Sequence, residues 1–135
     1  MKYKIEEIEG IGPAYGEKLK GAGIADTDAL LSRCGGKKGR TEVAKETGLD
    51  ESRLLKWANM ADLMRISGVG EEFSELLEAA GVDTVKELQH RNAENLAAKM
   101  AEVNETKKLT RVVPAATQVA RWIEQAKTLT PMISH

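Results

Sequence analysis

Few residues of this chain belong to the types that bind metals or form disulfides. The 135 residues include one cysteine, Cys34, and two histidines, His90 and His135. A single cysteine excludes an internal disulfide, and the scattered histidines lack the close spacing that a zinc site requires. We therefore expect no metal and no cofactor. Cys34 is interpreted as an incidental thiol in a loop, because no histidine is near it in the sequence to activate it.

Motifs of catalysis are also missing. No Ser-His or Cys-His arrangement can be recognised, and no phosphate-binding P-loop occurs. The many carboxylates have the spacing of exposed helix surfaces and alternate with lysines and arginines. These absences predict that the protein is not an enzyme, and no catalytic residue is assigned.

Long hydrophobic runs and a strong net charge are absent as well. No stretch approaches the roughly 18 apolar residues of a transmembrane helix, and residues 1–10 lack the apolar run of a signal peptide. The sequence therefore predicts no membrane association and a cytoplasmic location. The formal net charge is −1, so any binding to nucleic acid must come from local clusters of positive charge.

An internal repeat is the most informative pattern that the sequence contains. A shift of 58 positions aligns "EGIGPAYGEKLKGAGI" at 9–24 with "SGVGEEFSELLEAAGV" at 67–82 without a gap. The aligned pairs include Gly10 with Gly68, Gly12 with Gly70, Tyr15 with Phe73, Leu19 with Leu77, and Gly23 with Gly81. A slightly larger shift aligns Trp57 with Trp122. Each repeat therefore begins with a glycine hairpin and ends with a tryptophan helix.

Helical periodicity dominates within each repeat. Apolar residues around Trp57 and Trp122 follow the i, i+3, i+4, i+7 pattern of one buried helix face, and no segment alternates like a strand. The pattern predicts about nine short helices. The residues expected to cap or open helices are Gly23, Asp26, Asp50, Gly81, Asp83 or Thr84, and Pro114.

These patterns predict an all-α fold, in which one compact helical domain consists of two pseudo-repeated helix-hairpin-helix units. The first unit is placed at residues 1–60 and the second, with its C-terminal tryptophan helix, at 61–135. The first unit also contains a segment with helix-turn-helix spacing, 41–57. Its second helix would begin with Asp50 and Glu51, whose charge opposes contact with DNA, so we interpret the segment as a packing unit.

The Gly-apolar-Gly motif at 10–12 is typical of a helix-hairpin-helix, in which a tight turn leaves backbone N–H groups free to bind a phosphate. Lys18 and Lys20 follow it in the sequence. The first copy therefore predicts nucleic-acid contacts from Gly10, Ile11, Gly12, Lys18 and Lys20. The alternative is that the glycines only turn the chain and pack two helices.

The second copy is acidic. The segment from Asp62 to Glu87 contains seven acidic and two basic residues, which gives a local charge of −5. Carboxylates in the first turn stabilise a helix but repel a phosphate. This copy is therefore expected to be structural, and the acidic residues that could instead bind a protein partner are Glu71, Glu72, Glu75 and Glu78.

The segment "RCGGKKGR" at 33–40 has four positive charges and no acid. Its glycine content predicts a flexible loop, from which Arg33, Lys37, Lys38 and Arg40 could contact a nucleic-acid backbone without reading its sequence. The alternative is a solvated loop with no ligand.

Most of the chain resembles a known family. The segments "RTEVAKETGLDESRLLKWANMADLMRISGVGEEFSELLEAAGVDTVKELQHRN", "LAAKMAEVNETKKL" and "VARWIEQAK" resemble a bacterial family of small helix-hairpin-helix proteins catalogued as a domain of unknown function. The resemblance implies a compact all-helical fold whose relatives often bind DNA non-specifically through hairpin amides. The acidic second hairpin departs from that pattern.

Two functions follow from these observations. The first is a non-catalytic nucleic-acid-binding accessory protein that makes weak, sequence-independent backbone contacts to DNA through the first hairpin and the basic loop. The alternative is a protein-interaction or scaffold module that binds a protein partner, or a second copy, through helical faces, with both hairpins purely structural. The sequence does not fix the oligomeric state.

Overall fold

The computed structural model describes residues 2–135, and over this range it is all-helical with no strand, which confirms the predicted class. Met1, which opens the predicted first unit, lies outside the described residues. A 3-10 turn at Ile5–Glu7 precedes eight α-helices. These are α1 (Gly12–Gly21), α2 (Thr27–Cys34), α3 (Lys37–Thr47), α4 (Glu51–Leu63), α5 (Glu71–Ala79), α6 (Val85–Leu88), α7 (Ala93–Lys107) and α8 (Ala116–Ala126).

Side-chain caps define several helix starts. The carboxylate of Asp26 accepts the Ala29 N–H at 2.8 Å, and the Thr84 hydroxyl accepts the Glu87 N–H at 3.3 Å, which confirms both predicted caps. Each bond satisfies a backbone donor that the first helical turn leaves free. Asp50 is the N-cap residue of α4, as predicted, but its side chain accepts from the Ser52 hydroxyl instead of a backbone N–H. The prediction for Pro114 is wrong, because it lies ahead of the α8 N-cap.

Buried apolar side chains form two clusters. One lies within residues 5–64 and includes Trp57, and the other lies within residues 63–126 and includes Trp122. Both tryptophan helices therefore contribute to the core, as predicted. Helix α4 joins the clusters, because Met60 and Ala61 belong to the first and Leu63 to the second.

The two glycine turns match at their first glycine but differ at the second, where Gly12 has φ of +63° and Gly70 has φ of −102°. Gly10 has φ of +91° and Gly68 has φ of +90°, values that favour glycine because a Cβ atom would be strained there. In the first turn the Ile11 N–H donates to the Ile8 carbonyl at 3.2 Å. In the second turn the Val69 N–H donates to the Ile66 carbonyl at 3.0 Å.

An aromatic pair lies behind each turn. Tyr15 and Trp57 have ring centroids 5.3 Å apart at an interplanar angle of 56°, and Phe73 and Trp122 are 5.2 Å apart at 55°. Tilted contacts of this kind are favourable for aromatic rings. Each tryptophan is thereby fixed with its indole nitrogen close to the glycine of the neighbouring turn.

The segment with helix-turn-helix spacing folds as α3, a turn and α4. Gly48 ends α3 with φ of +74°, and Leu49, Leu54 and Trp57 are buried. The segment is therefore a packing unit, as expected. The neighbouring prediction of a flexible basic loop is wrong, because only Gly35 and Gly36 separate α2 from α3.

Close contact between α2 and α3 depends on Gly39. A Cβ atom on Gly39 would overlap the carbonyl oxygen of Arg33. We expect Gly39→Ala to lower the free energy of unfolding by about 1–3 kcal/mol, the usual cost of overpacking. Gly21→Ala is the matched control, because nothing lies within 4 Å of the added atom. That variant should be neutral or stabilised by up to ~1 kcal/mol. Urea unfolding measures the stability of both variants. Equal unfolding midpoints for the two would contradict the close contact between α2 and α3 at Gly39.

Candidate nucleic-acid interface

The first hairpin presents two free backbone donors. Gly10 and Gly12 are exposed, and within residues 2–135 neither N–H group has an acceptor. Ile11 differs from the prediction, because its side chain is buried and its N–H donates to Ile8. Pro13 has no N–H to offer. The turn can therefore donate to an anion through Gly10 and Gly12, with Ile11 as the anchor beneath them.

The predicted lysines do not gather at these amides. Lys20 forms an ion pair with Glu6, and this hydrogen bond raises the pKa of Lys20 and lowers the pKa of Glu6. Lys18 is exposed, but it lies six residues beyond Gly12, roughly 9 Å along the helix axis. It borders a surface depression together with Arg33 and Glu46. Lys18 therefore belongs to the C-terminal end of α1.

Arg33 forms contacts between helices. One terminal nitrogen donates to the Ala22 carbonyl at 3.0 Å, and the other donates to the Glu46 carboxylate at 3.0 Å. These bonds connect α2 to the end of α1 and to α3. The sequence predicts that Arg33 contacts nucleic acid. In the structure its guanidinium group instead donates to acceptors within the protein.

Arg40 corrects the sequence-based assignment most clearly. Its side chain is only 3% exposed. One terminal nitrogen donates to the carbonyls of Cys34 and Gly35, both at 3.0 Å, and the other donates to the Ser134 carbonyl at 2.7 Å. Arg40 therefore holds the C-terminal segment against the α2–α3 turn and is not free to contact a phosphate.

Lys37 and Lys38 remain exposed, and within residues 2–135 neither forms an ion pair. They begin α3, whereas Thr47 at the other end of that helix borders the depression beside Lys18. An eleven-residue helix is about 15 Å long. The predicted basic residues thus lie in separate places and do not form one patch.

The acidic residues of α5 also differ in environment. Glu72 accepts from the Arg111 side chain at 3.2 Å and from its N–H at 3.3 Å, while Glu78 lies 4.0 Å from Lys56. Burial raises the pKa of Glu75, and the nearby carboxylate of Glu9 raises it further. Glu75 is therefore close to the first hairpin, where its charge opposes an incoming phosphate.

The part of the chain that the structure describes contains neither a cluster of metal-binding side chains nor an exposed thiol. Among the described residues, no group of three or more His, Cys, Asp or Glu side chains is placed to hold a metal ion. Cys34 is buried in the end of α2, not in a loop, and burial raises the pKa of its thiol to about 11. Over residues 2–135, no helix combines the length and apolar character needed to cross a membrane.

Comparison with known proteins identifies the family. A family model described as a domain of unknown function matches residues 9–129. The chain belongs to the DUF4332 family. Comparison with curated proteins and with solved structures gives no match. The matched part of this DUF4332 domain begins at the first hairpin and ends after α8, so it contains both hairpins and both tryptophan helices.

Two arginines that the sequence did not single out lie near the hairpins of this DUF4332 domain. Arg53 lies 4.9 Å from the Tyr15 ring centroid and donates to the Tyr15 hydroxyl. Arg121 borders a depression with Gly68. Each arginine occurs within four residues of a tryptophan in the sequence. The i,i+4 spacing of Arg53 and Trp57 was the available signal for Arg53, because such residues are neighbours on a helix surface, whereas no comparable spacing marks Arg121.

A groove beside α5 of the DUF4332 domain has a volume of about 730 Å³. Its apolar surface includes Met64, Phe73 and Val112, and Val112 is 67% exposed. Acidic side chains at its edge include Glu7 and Glu71. The groove therefore combines apolar surface with carboxylates and with Arg111.

Proposed function

We propose that this chain is a non-catalytic nucleic-acid-binding accessory protein built from two related helix-hairpin-helix units. The observation that carries the proposal is a pair of exposed N–H groups without acceptors, those of Gly10 and Gly12, in a turn next to a helix N-terminus. Such groups bind phosphate oxygens without distinguishing one base from another. The ligand class is therefore a nucleic-acid backbone.

The second turn supports the relationship between the units. Gly68 and Gly70 also have N–H groups without acceptors among residues 2–135. The φ angles of Gly10 and Gly68, the aromatic pairs and the hydrogen bonds of the two turns agree closely, whereas the φ angles of Gly12 and Gly70 differ. A duplicated hairpin gives two phosphate contacts from one rigid body. If both hairpins bind, the protein contacts the nucleic-acid backbone at two places.

The charge distribution sets the expected strength of binding. The net charge is −1, and Glu9 and Glu75 lie beside the first hairpin. Lys18, Lys37 and Lys38 are the exposed cations of the predicted set that have no ion pair within residues 2–135. We expect weak binding, because a few cations must act against nearby carboxylates.

Fluorescence anisotropy of a labelled 20-base-pair duplex and of its single strand tests the proposal. Between ~20 and ~200 mM NaCl the logarithm of the affinity should fall linearly with log salt, by about 0.9 for each duplex phosphate neutralised. Lys37→Ala combined with Lys38→Ala should reduce that slope, whereas the control Lys99→Ala on α7 should not. No binding of either nucleic acid at the lowest salt concentration would contradict the proposal.

A protein-interaction module is the second candidate, and the acidic groove beside α5 supports it. Its surface has exposed apolar atoms at Val112 and carboxylates at Glu71 and Glu72. A partner captured from the protein's own cells by the wild type, and lost with Val112→Asp, would favour this candidate. Monomeric behaviour in sedimentation, with no partner captured, would weigh against it.

A further inference from the structure

A depression of about 390 Å³ lies between the second hairpin and α8. Every side chain that borders it can donate a hydrogen bond, apart from the glycine, and none is a carboxylate. The bordering residues are Ser67, Gly68, Gln118, Arg121, Trp122 and Gln125. A site rich in donors and free of acids is complementary to an oxyanion.

Trp122 provides the most specific feature of this depression. Its side chain is only 2% exposed, yet its indole N–H has no acceptor within residues 2–135. The indole nitrogen lies 3.3 Å from the point where a Cβ atom on Gly68 would be, so it is directed to the hairpin. The indole nitrogen is not among the fully buried polar atoms that lack a partner within residues 2–135, so an acceptor from solvent can reach it. This donor is therefore placed for an acceptor that comes from outside the chain.

Two neighbours add positive charge and further donors. The Gln125 side-chain oxygen accepts the Ser67 N–H at 3.0 Å, which fixes the side chain and leaves its NH₂ group as the free end. Arg121 is exposed and forms no ion pair within the described part of the chain. An unpaired guanidinium group beside an unpartnered indole N–H can hold one oxyanion through charge-assisted hydrogen bonds.

The acids of α5 do not border this depression. Glu71 and Glu72 border the neighbouring groove, which they line together with Gly70 of the second hairpin and with Gln118. The first repeat keeps two of the donors, with Trp57 and Lys56 aligned to Trp122 and Arg121, but Glu9 is the residue aligned with Ser67. Its buried Met60 is the residue aligned with Gln125. The depression beside the second hairpin is therefore a candidate site that the sequence-based preference for the first hairpin did not include.

We propose that this depression binds a phosphate group through Arg121, the Trp122 indole N–H, the Gln125 amide group and the Gly68 N–H. The inference rests on the proposed function where the phosphate belongs to a nucleic-acid backbone. A free phosphate ion has the same chemistry and is the other source. The side chains of α8, and not the hairpin amides alone, make this site selective for an oxyanion.

Two-dimensional ¹H–¹⁵N NMR of the full chain tests the site, because the protein has two tryptophans and therefore two indole N–H signals. Sodium phosphate is added at constant ionic strength, with sodium chloride as the reference. The Trp122 signal should move saturably and the Trp57 signal should not. Arg121→Ala should weaken phosphate binding by at least about tenfold. Lys56→Ala, the same change one residue before Trp57, should leave binding unchanged.

A duplex DNA titration of the same samples separates the inference from the proposed function. Phosphate binding that depends on Arg121, without duplex binding, would support the site and contradict a nucleic-acid function. Duplex binding that is unaffected by Arg121→Ala would contradict the site and leave the function standing. Equal movement of both indole signals, or no saturable movement with phosphate, would overturn the inference.

Discussion

Asp62→Ala is expected to lower the free energy of unfolding by about 3–5 kcal/mol, the cost of removing one partner from a buried ion pair. The Asp62 side chain is fully buried. Its carboxylate accepts from the Arg65 guanidinium at 2.6 Å and from the Val85 N–H at 2.9 Å. The substitution removes both bonds, so the end of α4 loses its polar connection to the start of α6.

Asp62→Asn provides a graded comparison, because its single oxygen can accept from Val85 or from Arg65 but carries no charge. We expect a smaller loss than for alanine. Glu102→Ala is the matched control, since that acid is 73% exposed in a loose pair with Lys99 and should change stability by less than ~1 kcal/mol. Urea unfolding measures all three variants. An Asp62→Ala protein as stable as the Glu102→Ala protein would show that the buried carboxylate is not needed.

Arg40→Ala is expected to reduce the free energy of unfolding by about 3 kcal/mol, because hydrogen bonds from a charged group contribute ~1.5–3 kcal/mol each and do not add fully. The lost acceptors are the carbonyls of Cys34, Gly35 and Ser134. Two of them end α2, and the third lies in the C-terminal segment. Without Arg40 that segment should detach from the α2–α3 turn.

The same variant separates a structural role from a ligand role. If the only role of Arg40 is to stabilise the fold, the folded fraction of Arg40→Ala should bind nucleic acid like the wild type. Lys38→Ala is the control, because Lys38 is exposed in the same helix and should affect stability little. A variant of unchanged stability that has lost nucleic-acid affinity would mean that Arg40 contacts the ligand, as the sequence predicted.

Several parts of the fold can be predicted from local sequence patterns. The period of apolar residues around Trp57 and Trp122 identifies two buried helices, and the glycines at 10 and 68 identify turns with positive φ. Asp26 and Thr84 identify helix starts. In each case the physical cause acts over a few residues, so the sequence alone contains it.

The candidate site is less predictable, because the sequence does not show which way a charged side chain points in the folded protein. Arg40 turns inward to bind a carbonyl 94 positions away, and no local pattern encodes that contact. The Glu71 and Glu72 charges follow the second hairpin in sequence, and in space they line the groove beside Gly70 without bordering the depression at Gly68. Helix packing decides which face each charge occupies, and packing depends on the whole chain.

Mapping a short DNA duplex onto the protein by ¹H–¹⁵N NMR tests the central claim most directly, because the claim concerns hairpin amides. In ~20 mM salt, where backbone contacts are strongest, the Gly10, Gly12, Gly68 and Gly70 amide signals should move saturably. Addition of salt should reverse these shifts. Absence of any shift, or shifts confined to groove residues such as Phe73 and Val112, would contradict binding through the hairpins.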